Sequence, residues 1–160
     1  MREFEYDREF AVAYARKWAL SRNPAYYDFS DLGGDCTNFA SQCIFAGSGV
    51  MNYTPTYGWF YVSPSQRTAS WTGVEYLYDF LTKNRSAGPF GIEVSENEVK
   101  PGDILQLGHS NGDFYHTPVI LATSPNILVA AHSNDALDRP LYTYDYDIIR
   151  YIHIDGVRTY

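Results

Sequence analysis

Gly33-Gly34-Asp35-Cys36-Thr37-Asn38-Phe39-Ala40-Ser41-Gln42-Cys43-Ile44 is the stretch on which the reading of this chain turns. A glycine pair gives way to an acidic residue, a cysteine and a run with helical spacing. A helix beginning at Asp35 or Cys36 carries Phe39, Ala40, Cys43 and Ile44 on the same stripe as Cys36. The first N–H groups of a helix lack intrahelical partners, and the aligned peptide dipoles leave partial positive charge there. A thiolate at that point is stabilised, so Cys36 is expected to have a lowered pKa and to act as a nucleophile. The stretch by itself is equally compatible with a small buried residue near a helix start.

Outward from that stretch, the N-terminal side reads as scaffold. Residues 7–22 form an amphipathic pattern in which Phe10, Tyr14 and Trp18 recur every fourth position beside Ala11, Ala15 and Ala19, and Asn23-Pro24 ends it. Residues 25–34 form a loop that delivers the chain to Cys36. On the C-terminal side, Gly47-Ser48-Gly49 stops the cysteine helix near Ala46. Residues 50–70 show no sustained period and carry Tyr53, Tyr57, Trp59, Phe60 and Tyr61. Those rings either cover one side of a substrate groove or seal the core. A third helix, capped by Ser70 or Thr72, is expected through about Asn84, followed by a link over 85–91.

Strand patterns then take over: 92–94, 103–107, 115–122, 127–132, 141–144 and 148–154. Helices first and strands second predict an α+β domain with its N-terminal helices packed on one face of a small antiparallel sheet. A chain of 160 residues is expected to be a single domain over 1–160.

Composition narrows the function classes. The net charge of −7 disfavours a nucleic-acid backbone or an anionic membrane surface as the main partner. A mean hydropathy of −0.33 fits a folded soluble domain. The first twenty residues contain no apolar core of a leader, and no stretch approaches the ~20 apolar residues of a membrane span, so neither is expected. The aromatic load of 15 Tyr, 9 Phe and 3 Trp exceeds the needs of so small a core, which leaves rings for ligand stacking. Cys36 and Cys43 lie roughly 10 Å apart along one helix, too far for a disulfide, so both thiols are expected to be free.

A cysteine nucleophile needs a base, and the base needs a group that holds it. His116 opens the run His-Thr-Pro-Val-Ile-Leu, and His132 ends the run Ile-Leu-Val-Ala-Ala-His. If these runs pair as a hairpin, both histidines reach one sheet edge, with His116 as the base and His132 fixing its tautomer. His109 precedes a turn and reads as solvated, and His153 reads as structural. No H-E-x-x-H or paired C-x-x-C is present, so no metal and no cofactor are expected.

Taken together, Asp35-Cys36-Thr37-Asn38-Phe39 with Ser41-Gln42-Cys43, Trp71-Thr72-Gly73, Pro101-Gly102-Asp103, His116 and Ala131-His132-Ser133 resemble the bacterial putative amidase domain family. They are more distantly similar to papain-like cell-wall hydrolases of the CHAP type. The resemblance spans nearly the whole chain. It implies a papain-like fold and cysteine-dependent hydrolysis of an amide bond, with peptidoglycan or a related peptide as substrate and a secreted or cell-surface setting. Carried over by position, Cys36 is the nucleophile, His116 the base and His132 the polar third residue. Two departures stand out. Asn38 occupies a position where many relatives have glycine, and Ser133, Asn134, Asp135 and Asp138 rival His132 for the third role. The backbone N–H of Cys36 is the expected oxyanion donor. Acyl transfer to an amine, as in transglutaminases, and an inactive glycan- or peptide-binding module on the same scaffold are the alternatives.

Overall fold

The computed structural model describes residues 1–160. The chain opens with strand β1 (Arg2–Phe4) and helix α1 (Arg8–Trp18), followed by the cysteine helix α2 (Cys36–Ser48). Asp7 caps α1 by accepting from the Phe10 N–H at 3.0 Å. Helix α2 ends at Gly49 in the left-handed conformation, φ 66°. Its Gly47 lies where the chain enters α1: a Cβ there would stand 2.5 Å from the Tyr6 ring and 2.6 Å from the Asp7 carbonyl. Only glycine lets the two helices meet that closely, and the Gly47 carbonyl accepts from the Asp7 N–H at 2.8 Å.

The aromatic segment contains a small hairpin, β2 (Tyr61–Ser63) with β3 (Gln66–Arg67). Part of the segment seals the core. Trp59 is fully buried, stacks 4.7 Å from Trp71 and donates its indole N–H to Ser41 on α2 at 3.1 Å, while Tyr53 and Tyr57 are exposed. The expected third helix is broken into α3 (Ala69–Thr72) and α4 (Val74–Lys83) by Gly73, whose extended backbone interrupts the helical ladder.

The remaining chain forms the strands β4 (Gly88–Val94), β5 (Ile104–Gly108), β6 (Phe114–His116), β7 (Val119–Ala122), β8 (Leu128–Ala131), β9 (Ala136–Pro140) and β10 (Ile148–Thr159). The main sheet has eight strands in the order β1-β10-β5-β7-β8-β9, with β4 pairing β10 and β6 pairing β5, and every pair is antiparallel. The α+β architecture expected from the sequence is therefore present.

Several expectations on the strands are corrected. The run 115–122 is two strands because Pro118, which has no N–H to give the ladder, separates β6 from β7. Residues 141–143 form a short 3-10 turn in place of a strand, and β9 comes just before it.

Alternate residues of the central strands serve opposite faces. Ile104, Val119, Leu121 and Ile152 pack with Ala11, Ala15, Phe39, Cys43 and Ile44 under the two long helices. Leu105, Leu107, Ile120 and Tyr151 form a second cluster with Val99, Ile127 and Leu141 on the far face. At roughly 1.5–3 kcal/mol for each fully buried large apolar side chain, the helix-side cluster dominates the fold.

The Pro101-Gly102-Asp103 turn fastens the sheet to α1. The fully buried Asp103 carboxylate receives Arg8 at 2.7 Å, the backbone N–H of Ile154 at 2.8 Å and that of Lys100 at 2.8 Å. His153 Nδ1 lies 2.9 Å from the same carboxylate.

Candidate active site

Cys36 is the first residue of α2, and Asp35 stands in the cap position immediately before it. Gly33 and Gly34, at φ 84° and 100°, supply the left-handed turn that brings the chain into the helix. An aspartate in that place ordinarily accepts from the free N–H groups of the first turn. Asp35 makes no such bond. Its Oδ1 accepts from the backbone N–H of Phe29 at 2.8 Å and from the Asn38 amide at 2.8 Å, and its Oδ2 lies 2.6 Å from His132 Nδ1. The N–H groups of the first helical turn are thus left without the usual side-chain cap, at the end where the macrodipole is positive.

Asp35 is the residue that reading the sequence underrated. Only 1% exposed, it holds the loop before the helix, the helix itself and the sheet at one point. Arg22 joins it: the guanidinium grips Asp135 through two bonds of 2.8 and 3.0 Å and lies 3.3 Å from Asp28 and 3.6 Å from Asp35. Asn38 acts within the same network. Its amide donates to the Tyr27 carbonyl at 2.9 Å as well as to Asp35, and its oxygen accepts from the Trp71 indole at 3.0 Å. Glycine at this position would strip the Tyr27 carbonyl and the Trp71 indole of these partners and Asp35 of one of its donors, which explains the departure noted in the sequence. An Asp-x-x-Asn spacing across a helix start was the available signal.

His132 is 1% exposed and lies on Phe39 with ring centroids 4.1 Å apart. Both its nitrogens are engaged, Nδ1 with Asp35 and Nε2 with the Trp18 carbonyl at 2.8 Å and Arg22 at 3.2 Å. No hydrogen bond runs from His132 to His116. The orientation of His116 by His132 expected from the sequence is replaced by an Asp35–His132 pair beneath the helix start.

The Cys36 sulfur, half-buried, lies 3.9 Å from the Tyr115 carbonyl and 3.7 Å from the Thr37 hydroxyl. Burial pushes its pKa up, against the pull of hydrogen bonds from Thr37 and the Thr117 backbone, and the Asp35 carboxylate raises it further. The lowered pKa expected from the helix end is therefore corrected: in the free protein the group rests as a thiol.

Tyr115 on strand β6 and Thr117 just after it, the two residues whose backbone meets Cys36, flank His116. The Thr117 hydroxyl also lies 3.0 Å from that of Thr37, which ties the strand to the first turn of α2. His116 itself turns toward Tyr144, with ring centroids 5.8 Å apart, and makes no hydrogen bond within the protein. Burial, with the nearby Arg139 charge acting in the same direction, lowers its pKa from 6.5 to about 4. At neutral pH it is an uncharged imidazole, the form that can take a proton. Beside it a cavity of about 260 Å³ is lined by Ser133, Asn134, Arg139 and Tyr144. The other two histidines lie outside this arrangement: His109 stacks on Tyr115 at 4.3 Å, and His153 belongs to the Asp103 network.

No group of three or more His, Cys, Asp or Glu side chains is disposed to hold a metal ion. No helix is long and apolar enough to cross a membrane.

Comparison with known proteins brings this geometry into a family. A family model described as a putative amidase domain matches residues 5–154. Uncharacterized protein YhbB of Bacillus subtilis (strain 168) is 40% identical over 124 residues, 76% of this chain and 39% of the relative. Uncharacterized protein YjcM of the same organism is 26% identical over 139 residues, 81% of this chain and 31% of the relative. The chain thus spans less than half the length of either relative. No solved structure matches it.

Proposed function

We propose cysteine-dependent amide hydrolysis for this chain, which belongs to the putative amidase domain family. The observation that carries the reading is the disposition of Cys36. It begins a helix whose cap carboxylate is turned away, and its sulfur abuts the backbone on either side of His116. A cysteine on a helix end against a sheet that bears a histidine is the arrangement of papain-like hydrolases, and we assign the fold to that class on this ground.

The chemistry starts from a neutral pair. Imidazole His116 accepts the Cys36 thiol proton as the sulfur attacks the amide carbonyl, forming the S–C bond. The Cys36 backbone N–H, free of any side-chain cap, stabilises the oxyanion at the positive end of α2. The imidazolium then protonates the amine as the C–N bond breaks. Water, deprotonated by His116, resolves the thioester and restores the thiol. Apo catalytic hydrogen bonds are often open and tighten in the substrate complex, which is consistent with the unpartnered His116 ring. His132, with both nitrogens committed, acts as a positioning residue through Asp35. Peptidoglycan-derived peptides are the substrate class we assign, following the family resemblance.

Incubation of the protein and its Cys36→Ala variant with peptidoglycan fragments, with products read by mass spectrometry, tests the assignment. Fragments that gain one water at an amide in the wild type and stay intact with the variant are expected. Equal cleavage by both proteins rules out the cysteine mechanism, and a product carrying an added amine assigns acyl transfer instead.

A further inference from the structure

The cavity beside His116 contains a cation without a counterion. Arg8, Arg16, Arg22, Arg150 and Arg158 each pair with a carboxylate, whereas Arg139, half-buried in a chain of net charge −7, pairs with none. Its guanidinium is nevertheless held rigidly. Nε donates to the Thr143 hydroxyl at 2.8 Å, one terminal nitrogen donates to the Thr143 carbonyl at 2.9 Å, and the group stacks 3.6 Å above the Tyr144 ring. The other terminal nitrogen makes no bond within the protein. The Tyr144 ring beneath it lines the same cavity, while the Tyr144 hydroxyl is shielded from solvent and has no hydrogen-bond partner of good geometry. Asn134 adds a side-chain amide at the cavity wall.

We propose that Arg139 and Tyr144 form a carboxylate-binding subsite next to His116, so that the enzyme selects amides flanked by a free carboxylate. The proposal rests on the amidase reading for its place in catalysis, while the binding itself does not depend on turnover. A planar guanidinium with an open N–H edge matches a carboxylate in charge and shape, and the Tyr144 ring beneath it holds the fork in place. Anchoring the substrate there would hold its neighbouring amide at the end of β6, beside Cys36. The bound carboxylate would also neutralise the Arg139 charge that His116 senses, making the imidazole a stronger base once substrate is in position.

The test uses the Cys36→Ala protein, so that it reads binding whether or not amides are hydrolysed. N-acetyl-L-alanine and its neutral amide are titrated in while the His116 ring resonance is followed by NMR. The carboxylate is expected to shift that resonance saturably and to raise the imidazole pKa, and the neutral amide is expected to do neither. Arg139→Gln should weaken carboxylate binding about tenfold or more, the consequence of losing a charge-assisted hydrogen bond. Arg139→Lys, which retains the charge, should recover part of it, and Tyr144→Leu, which removes the ring under the guanidinium, should give a smaller loss. Equal binding of the two ligands, or binding by Arg139→Gln at wild-type affinity, overturns the subsite. Carboxylate binding without amide cleavage by the wild type would uphold the subsite and reject the hydrolase reading.

Discussion

Protonation of His116 should cost this protein stability in a defined pH window. In the unfolded chain the imidazole titrates at 6.5, and in the folded protein burial and the Arg139 charge together hold it at about 4. Between these values the unfolded state binds a proton that the native state refuses, so stability rises with pH across the window and falls as pH is lowered through it. At about 1.4 kcal/mol per pH unit, the full interval corresponds to about 3 kcal/mol, an upper figure because the ring edge borders an open cavity. Carboxylates also begin to titrate near the lower end, so the effect must be isolated by difference. Urea denaturation of the wild type and of His116→Gln, measured from pH 7.5 down to pH 4, provides that difference: the wild type is expected to lose progressively more stability than the variant. The NMR midpoint of the His116 ring in the native protein gives the same quantity directly. Parallel stability curves, or a midpoint near 6.5, would refute the buried neutral imidazole and with it the neutral resting pair. The kinetic counterpart is an acid limb of the pH–rate profile displaced below the usual histidine range.

Two further perturbations probe the start of the cysteine helix. Asp35→Asn replaces a buried carboxylate that accepts from Phe29 and Asn38 and pairs with His132, and it should destabilise the fold by about 3–5 kcal/mol in urea denaturation. A loss below about 1 kcal/mol would mean that the network does not hold the helix start. Iodoacetamide should label Cys36 and spare the fully buried Cys43, and because burial raises the Cys36 pKa the rate at pH 7 should lie below that of an unstructured cysteine peptide and climb as pH rises. A rate already at its plateau at pH 7 would indicate a preformed thiolate.

The sequence made periodic and punctuated features legible. The helical stripe from Cys36 to Ile44, the glycine stop after it and the alternation along β5, β7 and β8 each depend on neighbours a few residues away. What escaped depends on partners distant in the chain. Pro118 interrupts a run whose hydropathy alone reads as one strand, and only its pairing with β5 reveals two. Residues 136–140 (Ala-Leu-Asp-Arg-Pro) have no strand alternation, and become β9 because the edge of β8 offers a free ladder.

The same distinction governs the candidate site, and it changes what the Asp-Cys pair means. Read locally, Asp35 is a helix cap whose charge opposes a thiolate next door. In the folded chain the carboxylate turns from the helix to His132, 97 residues away, and to the loop at Phe29. That turn leaves the first-turn N–H groups open for an oxyanion, while the proximity of the negative charge helps to keep Cys36 protonated until a base acts on it. His116, the base we propose, is likewise kept uncharged, by burial and by an arginine it does not touch through any hydrogen bond. A neutral thiol and a neutral imidazole, each held so by its surroundings, require that charge separation accompany substrate binding. The carboxylate subsite we propose beside His116 supplies a reason for that order: an incoming carboxylate would remove the positive field opposing protonation of the ring, so that the imidazole would become a stronger base only when a substrate is present. A resting ion pair would need no such trigger, and the thiolate plateau in the alkylation profile is what separates the two.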